Sequence, residues 1–190
     1  MARMRTPRSQ WIDAGLAVLA EGGPEAVRVE VLARRLGVTK GGFYGHFVDR
    51  QELLDAMLDT WEERSGAAVV ARVEDEGGSR IERATRAAAL TFSGELRPVD
   101  AAVRDWARRD DAVAVRLRRL DNLRMELLRS YFRADFPDPD ELEARCLLAF
   151  ALAVAGDLIT ADHPGRTRDE VLARAATLLF DPGSSAPTDP

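Results

Sequence analysis

Apolar residues recur every three or four positions along nearly the whole chain, and strand-like alternation is absent. That spacing predicts helices throughout. The first covers about Arg8–Ala20, with Trp11, Ile12, Gly15, Leu16 and Leu19 on one stripe, and Gly22-Gly23-Pro24 ends it. The second covers about Val29–Leu36, with Gly37 placed to leave it through left-handed backbone. Thr39 is a natural N-cap for a third, about Lys40–Phe47. Asp49, with Glu52 three residues on, forms a capping box for a long fourth helix that carries Leu53, Leu54, Met57, Leu58 and Trp61 towards Val73. Gly77-Gly78-Ser79 then breaks the pattern. Beyond it the periodicity predicts helices over about Ser79–Leu96, Pro98–Arg108, Asp111–Arg133, Asp140–Thr160 and Thr167–Phe180. The total is about nine helices, followed by a Pro-, Gly- and Ser-rich tail over 182–190 that is expected to be disordered.

The stretch Val29–Phe47 carries the most information. Leu32, Leu36, Val38, Phe43 and Phe47 fall inward as a small core, and Ala33, four residues before Gly37, lets two helices cross steeply. Thr39, Lys40, Gly41, Gly42, Tyr44, Gly45 and His46 face away. Three glycines in so short a helix oppose its stability, at about 1 kcal/mol each against Ala. They suit a thin surface whose backbone must approach something closely. Two short helices joined by a tight turn have the shape that puts a helix into the major groove of DNA.

Charge supports this reading only through its distribution. The chain is −5 overall, which by itself argues against nucleic acid. Residues 1–50 hold eight Arg or Lys against five acids, a net +3 that leaves −8 for the rest. A small basic unit on a larger acidic one is the footprint of a nucleic-acid-binding module. Lys40 is the only lysine in the chain. Cys146 is the only cysteine, so no intrachain disulfide is possible, and its apolar neighbours Leu147, Leu148 and Phe150 point to a buried packing role. His46 and His163 lie far apart, no metal-ligand spacing occurs, and no cofactor is expected. The start has no signal-peptide pattern and no uncharged apolar run is long enough to span a membrane, so a cytoplasmic location is expected.

Residues 8–61 resemble the DNA-binding domain of the TetR family of transcriptional regulators. The resemblance rests on Thr39-Lys40-Gly41-Gly42-Phe43-Tyr44-Gly45-His46-Phe47 followed by Asp49-Arg50-Gln51-Glu52-Leu53-Leu54. It implies an all-α protein: an N-terminal three-helix helix-turn-helix domain (1–50), a long connecting helix (about 50–75) and a C-terminal helical ligand-binding and dimerisation domain (76–181). It further implies that Thr39, Lys40 and Tyr44 contact phosphates of a double-stranded operator, with Gly42 close to base edges and Gly41 beside it letting the backbone approach the DNA. His46 would lie on the DNA side, and Arg50 would hold a phosphate at the start of the fourth helix. Two positions depart from the family pattern. Arg28 stands where Thr or Ser often caps the second helix, and as a cation it can reach a phosphate instead. Gly45 replaces a larger side chain, so direct readout is sparse and specificity leans on Arg28, Lys40 and DNA shape. The arm residues Arg3, Arg5 and Arg8 either reach the DNA or are simply solvated.

In the C-terminal body, Asp100–Asp110 is similar to a segment of some family members. The run Cys146–Ile159 is apolar nearly all round and needs cover on more than one face, which points to a second copy. Phe150, Val154, Leu158, Val171 and Leu178 are the expected centre of a homodimer interface built from the last two helices. Phe92, Trp106, Met125, Leu128 and Phe132 are the expected lining of a pocket for an apolar small-molecule effector. Arg104 and Arg124 either meet a carboxylate ligand or pair within the protein. The functional expectation is a dimeric repressor released from its operator by that ligand. The alternatives are a DNA-binding regulator controlled by a protein partner and, less favoured by the residues, a small helical enzyme.

Overall fold

A computed structural model describes residues 6–92, 96–156 and 158–180, apart from the Phe92 side chain. The proposed tail over 182–190 lies outside the described residues. These form α1 (Arg8–Gly22), α2 (Val29–Arg35), α3 (Arg50–Ser65), α4 (Ala67–Glu76), α5 (Arg80–Phe92), α6 (Leu96–Ala107), α7 (Asp111–Phe132), α8 (Pro139–Ala155) and α9 (Arg168–Phe180). Single 3-10 turns cover Pro24–Ala26 and Lys40–Gly45. The all-α fold is as the periodicity predicts.

Local rules account for most boundaries. Gly37 takes φ 66°, and Val38 N–H reaches back to the Ala33 carbonyl at 2.9 Å, a Schellman-type close of α2. Asp49 accepts from Glu52 N–H at 2.9 Å, the first half of the expected box, while the Glu52 carboxylate reaches one residue further back and accepts from Val48 N–H at 2.6 Å. Asp110 caps α7 through Ala112 and Val113 N–H, and Asp138 caps α8 through Asp140 N–H.

Three expectations need correction. The segment after Thr39 is not an α-helix but a 3-10 turn over Lys40–Gly45, and Thr39 stands at its N-cap without a side-chain capping bond. Three glycines leave too little helix propensity to hold a full α-turn there. The expected long fourth helix breaks in two at Gly66 (φ −123°, ψ −94°). The break is crowded from both sides: a Cβ on Gly66 would stand 2.8 Å from the Glu62 carbonyl oxygen of α3 and 2.9 Å from Leu120 Cδ1 of α7. Gly66→Ala is therefore expected to cost about 1–3 kcal/mol, the typical penalty of overpacking, measured by urea denaturation. Finally, α8 ends at Ala155 rather than near Thr160.

The helices enclose two apolar cores. The first gathers α1, α2, the 40–45 turn and α3, including Trp11, Leu19, Leu32, Phe43, Phe47, Met57 and Trp61, together with Val99, Val103 and Trp106 of α6 and Val113 and Leu120 of α7. The second contains Val69 and Val73 of α4, Ala84 and Ala87 of α5, and Met125, Tyr131, Phe132, Phe136, Leu142 and Cys146. The first core therefore runs across the expected boundary between the N-terminal unit and the body. An ion pair reinforces the junction: Arg116 on α7 bonds Glu62 at 2.6 Å and Asp59 at 2.5 Å, both on α3. Each helix pair at this junction is held by shared side chains, so α6 and α7 act as a platform on which the N-terminal helices sit.

Burial inverts polarity at one place. Asp100 and Arg124 are 3% and 7% exposed and bond each other at 2.9 Å between α6 and α7. Arg104 bonds Asp100 at 2.7 Å and grips Asp121 with both terminal nitrogens, at 2.9 and 2.8 Å. Burial opposes the Arg104 charge, yet the Asp121 hydrogen bonds and the Asp100 charge hold its pKa above the ordinary value. Arg104 and Arg124 thus pair within the protein.

Candidate nucleic-acid interface

The candidate site is the outer surface of the 40–45 turn and the start of α2. Its inner side is aromatic. Phe43 meets Trp11 edge-on at 5.5 Å and stacks near-parallel on Phe47 at 5.1 Å, and all three are buried. This wedge fixes the orientation of the turn, so residues between its anchors must point outward.

Tyr44 leans edge-on against Phe43 but is 63% exposed, which leaves its hydroxyl clear of the core. Lys40 lies beside it and reaches back to α2, with Nζ 2.6 Å from Glu30 Oε1. Hydrogen bonding to Lys40, foremost among several causes, pulls the Glu30 carboxyl below its usual pKa. A Cβ on Gly41 would meet only Thr39 Oγ1 at 3.8 Å, and one on Gly42 would make ordinary contact with Trp11 at 3.6 Å. Nothing inside the protein requires glycine at either position. Arg28 is the N-cap of α2 and, as expected for a cation there, makes no side-chain capping bond; its Nε donates to the Glu25 carbonyl at 3.1 Å.

Two residues have internal partners that the sequence does not disclose. His46 Nε2 donates to the Thr6 carbonyl at 2.7 Å, so the imidazole ties the start of the chain to the turn. Arg50 donates Nε to the Val27 carbonyl at 2.6 Å and a terminal nitrogen to the Pro24 carbonyl. Its guanidinium braces the loop before α2 against α3, where the sequence led us to expect a phosphate. Of the basic arm, Arg3 and Arg5 lie outside the described residues. Arg8 sits 4.7 Å above the Phe47 ring and 3.8 Å from Glu52. Glu30 is the residue that sequence reasoning missed. The only signal was an acid on one helix and a lone lysine on the next, and their contact depends on the turn between them.

The other expected sites are partly dispersed. Trp106 belongs to the first core, whereas Met125, Leu128 and Phe132 belong to the second, so the structure does not bring those four together. The Phe92 side chain lies outside the described residues. Phe132 is closed off by a stacked contact with Phe180 at 3.6 Å, which docks α9 on α7. Of the expected interface residues, Leu158 and Leu178 are 75% and 50% exposed, while Phe150 turns inward against the second core. Leu147 and Leu148 of α8 are more exposed than Phe150 and extend the apolar surface. Cys146 is fully buried, and burial pushes its thiol up to about 11, so it packs rather than reacts. Among the described residues no helix is long and apolar enough to cross a membrane.

Known proteins share both the segment and the fold. Residues 12–57 match the sequence profile of "Bacterial regulatory proteins, tetR family". Over 58 residues the chain is 41% identical to the uncharacterized HTH-type transcriptional regulator TtgW of Pseudomonas putida. That alignment covers 30% of this chain and 42% of TtgW, so the chain matches about two fifths of its curated relative's length. The whole fold resembles a transcriptional regulator from Rhodococcus sp. Rha1, with TM-score 0.69, 22% identity and 96% and 100% of the two chains covered. It also resembles AibR, solved in complex with isovaleryl coenzyme A and operator DNA, with TM-score 0.68, 15% identity and 91% and 97% covered. The 40–45 turn and the capping box both fall within residues 12–57, the segment of this chain that matches the tetR family of bacterial regulatory proteins.

Proposed function

We propose that this chain is a dimeric DNA-binding transcriptional regulator, a repressor that leaves its operator when a small molecule binds the body. The observation that carries the reading is the 40–45 turn. Its apolar residue Phe43 is buried, while Lys40, Gly41 and Tyr44 face outward beside Gly42, at a place where no internal contact requires glycine. Such a surface docks closely to a polyanion, with Thr39, Lys40, Tyr44 and Arg28 on phosphates and Gly41 and Gly42 near base edges. Arg50 and His46 then serve the interface indirectly, by bracing the turn and the arm.

Lys40→Ala is expected to weaken binding to the operator and to lower the salt slope of log K there by about one. Fluorescence anisotropy at several salt concentrations reads this directly, and an unchanged slope would remove Lys40 from the interface. Arg50→Ala should behave differently, lowering stability along with affinity.

The effector half of the reading draws on AibR, which was solved with an acyl-coenzyme A and operator DNA. Here a ligand would enter the second core, near Met125, Leu128 and Phe132, and would act by its differential affinity for two conformers. The dimer half draws on the exposed Leu147, Leu148, Leu158, Ile159 and Leu178 of α8, α9 and the turn after α8. Large apolar side chains left exposed together on the last two helices suit a face that a partner covers. A second copy also supplies the two-fold symmetry that a palindromic operator needs.

A further inference from the structure

We infer that Glu30 is a specificity-determining residue that holds Lys40 away from phosphates and releases it where a cytosine amino group can take its place. The inference rests on the DNA-binding reading above. Glu30 lies in the first turn of α2, and its carboxylate is 2.6 Å from Lys40 Nζ. The two side chains are 54% and 56% exposed, so the pair sits on the surface that the 40–45 turn presents. The only lysine of the chain is thereby neutralised by an acid in the free protein.

On DNA this arrangement has two consequences. A carboxylate carried to the phosphate backbone is repelled, which weakens binding to arbitrary sequences. Within the major groove a carboxylate can only accept hydrogen bonds, and the cytosine N4 amino group is the base-edge donor that suits it. At a duplex with cytosine in register, Glu30 exchanges Lys40 for N4–H and Lys40 is free to meet a phosphate. With guanine or thymine in that register no donor is offered, and with adenine the N6 amino group lies beside the N7 acceptor, which repels the carboxylate. Gly41 and Gly42 carry no side chains, so the turn itself offers few groups to read bases and a contribution from α2 matters more.

The test uses a duplex selected by the wild-type protein from a random library, together with a scrambled duplex, and compares wild type with Glu30→Gln. Glutamine keeps the shape and removes the charge at a half-exposed position, and a circular-dichroism melt checks the fold. Affinity for the scrambled duplex should rise several-fold, and the selected-to-scrambled ratio should fall about ten-fold. Replacing one C·G pair of the selected site should cost wild type about ten-fold and the variant little. If both duplexes change by one common factor, or no C·G pair is read through position 30, the inference is overturned. If the wild type selects no sequence at all, it is the DNA-binding reading that fails.

Discussion

Asp100→Ala is expected to lose about 3–5 kcal/mol of stability, the cost of breaking one side of a buried ion pair. The loss arises at Arg124, whose side chain is 7% exposed and would keep its charge with its closest buried acid removed. Asp121 remains at 3.2 Å, but it is shared with Arg104 and is more exposed. Against a typical total of about 5–15 kcal/mol this is a large fraction, and for a chain of this size it corresponds to a fall of roughly 6–20 °C in Tm. Asp121→Ala should cost clearly less, since Asp100 still bonds both arginines. Thermal unfolding followed by circular dichroism ranks the two, and equal losses would show that the network is not centred on Asp100. Because the network joins α6 to α7, and both carry the first core, Asp100→Ala should also loosen the seat of the N-terminal helices.

The second large effect is expected from Leu148→Glu combined with Leu178→Glu. Both residues are at least half exposed on α8 and α9, so the charges should leave the fold of one chain intact. If a second copy covers this face, each substitution places a carboxylate in a desolvated apolar contact, and it does so twice by symmetry. Sedimentation should show a dimer for wild type and a monomer for the double variant at micromolar concentration. Operator affinity should fall by two or more orders of magnitude, because linked half-sites lose their shared effective concentration. A wild-type monomer would remove the dimer from the proposal, and a variant dimer would move the interface elsewhere.

What the sequence disclosed was local, and what it concealed depended on distant contacts. The cap at Asp49 acts within three residues, as does the left-handed Gly37, and such features are legible from spacing alone. The break at Gly66 was not legible, because one glycine in a helical pattern is ordinarily tolerated. Only the fold brings Leu120 and Leu123 of α7 against Gly66, where a side chain has no room. The resemblance implied a phosphate contact for Arg50. Only the fold brings the Val27 and Pro24 carbonyls within its reach. Trp106 and Met125 both read as inward-facing residues of neighbouring helices. They face different cores because α7 spans both, with Val113 and Leu120 in the first and Met125 and Phe132 in the second, and periodicity does not encode where along a helix its neighbours change.

The division into two cores also determines what the chain can report about itself. Its three tryptophans, Trp11, Trp61 and Trp106, all lie in the first core. Tryptophan emission, excited selectively over tyrosine, therefore watches the N-terminal helices and the α6–α7 platform beneath them, and is blind to the second core, whose emitting ring is Tyr131. A small molecule settling among Met125, Leu128 and Phe132 would leave that emission unchanged unless its influence crossed α6 and α7. A spectral change on adding a ligand would then be a direct optical readout of communication between the two halves, and a silent titration would call for calorimetry before the ligand is discarded.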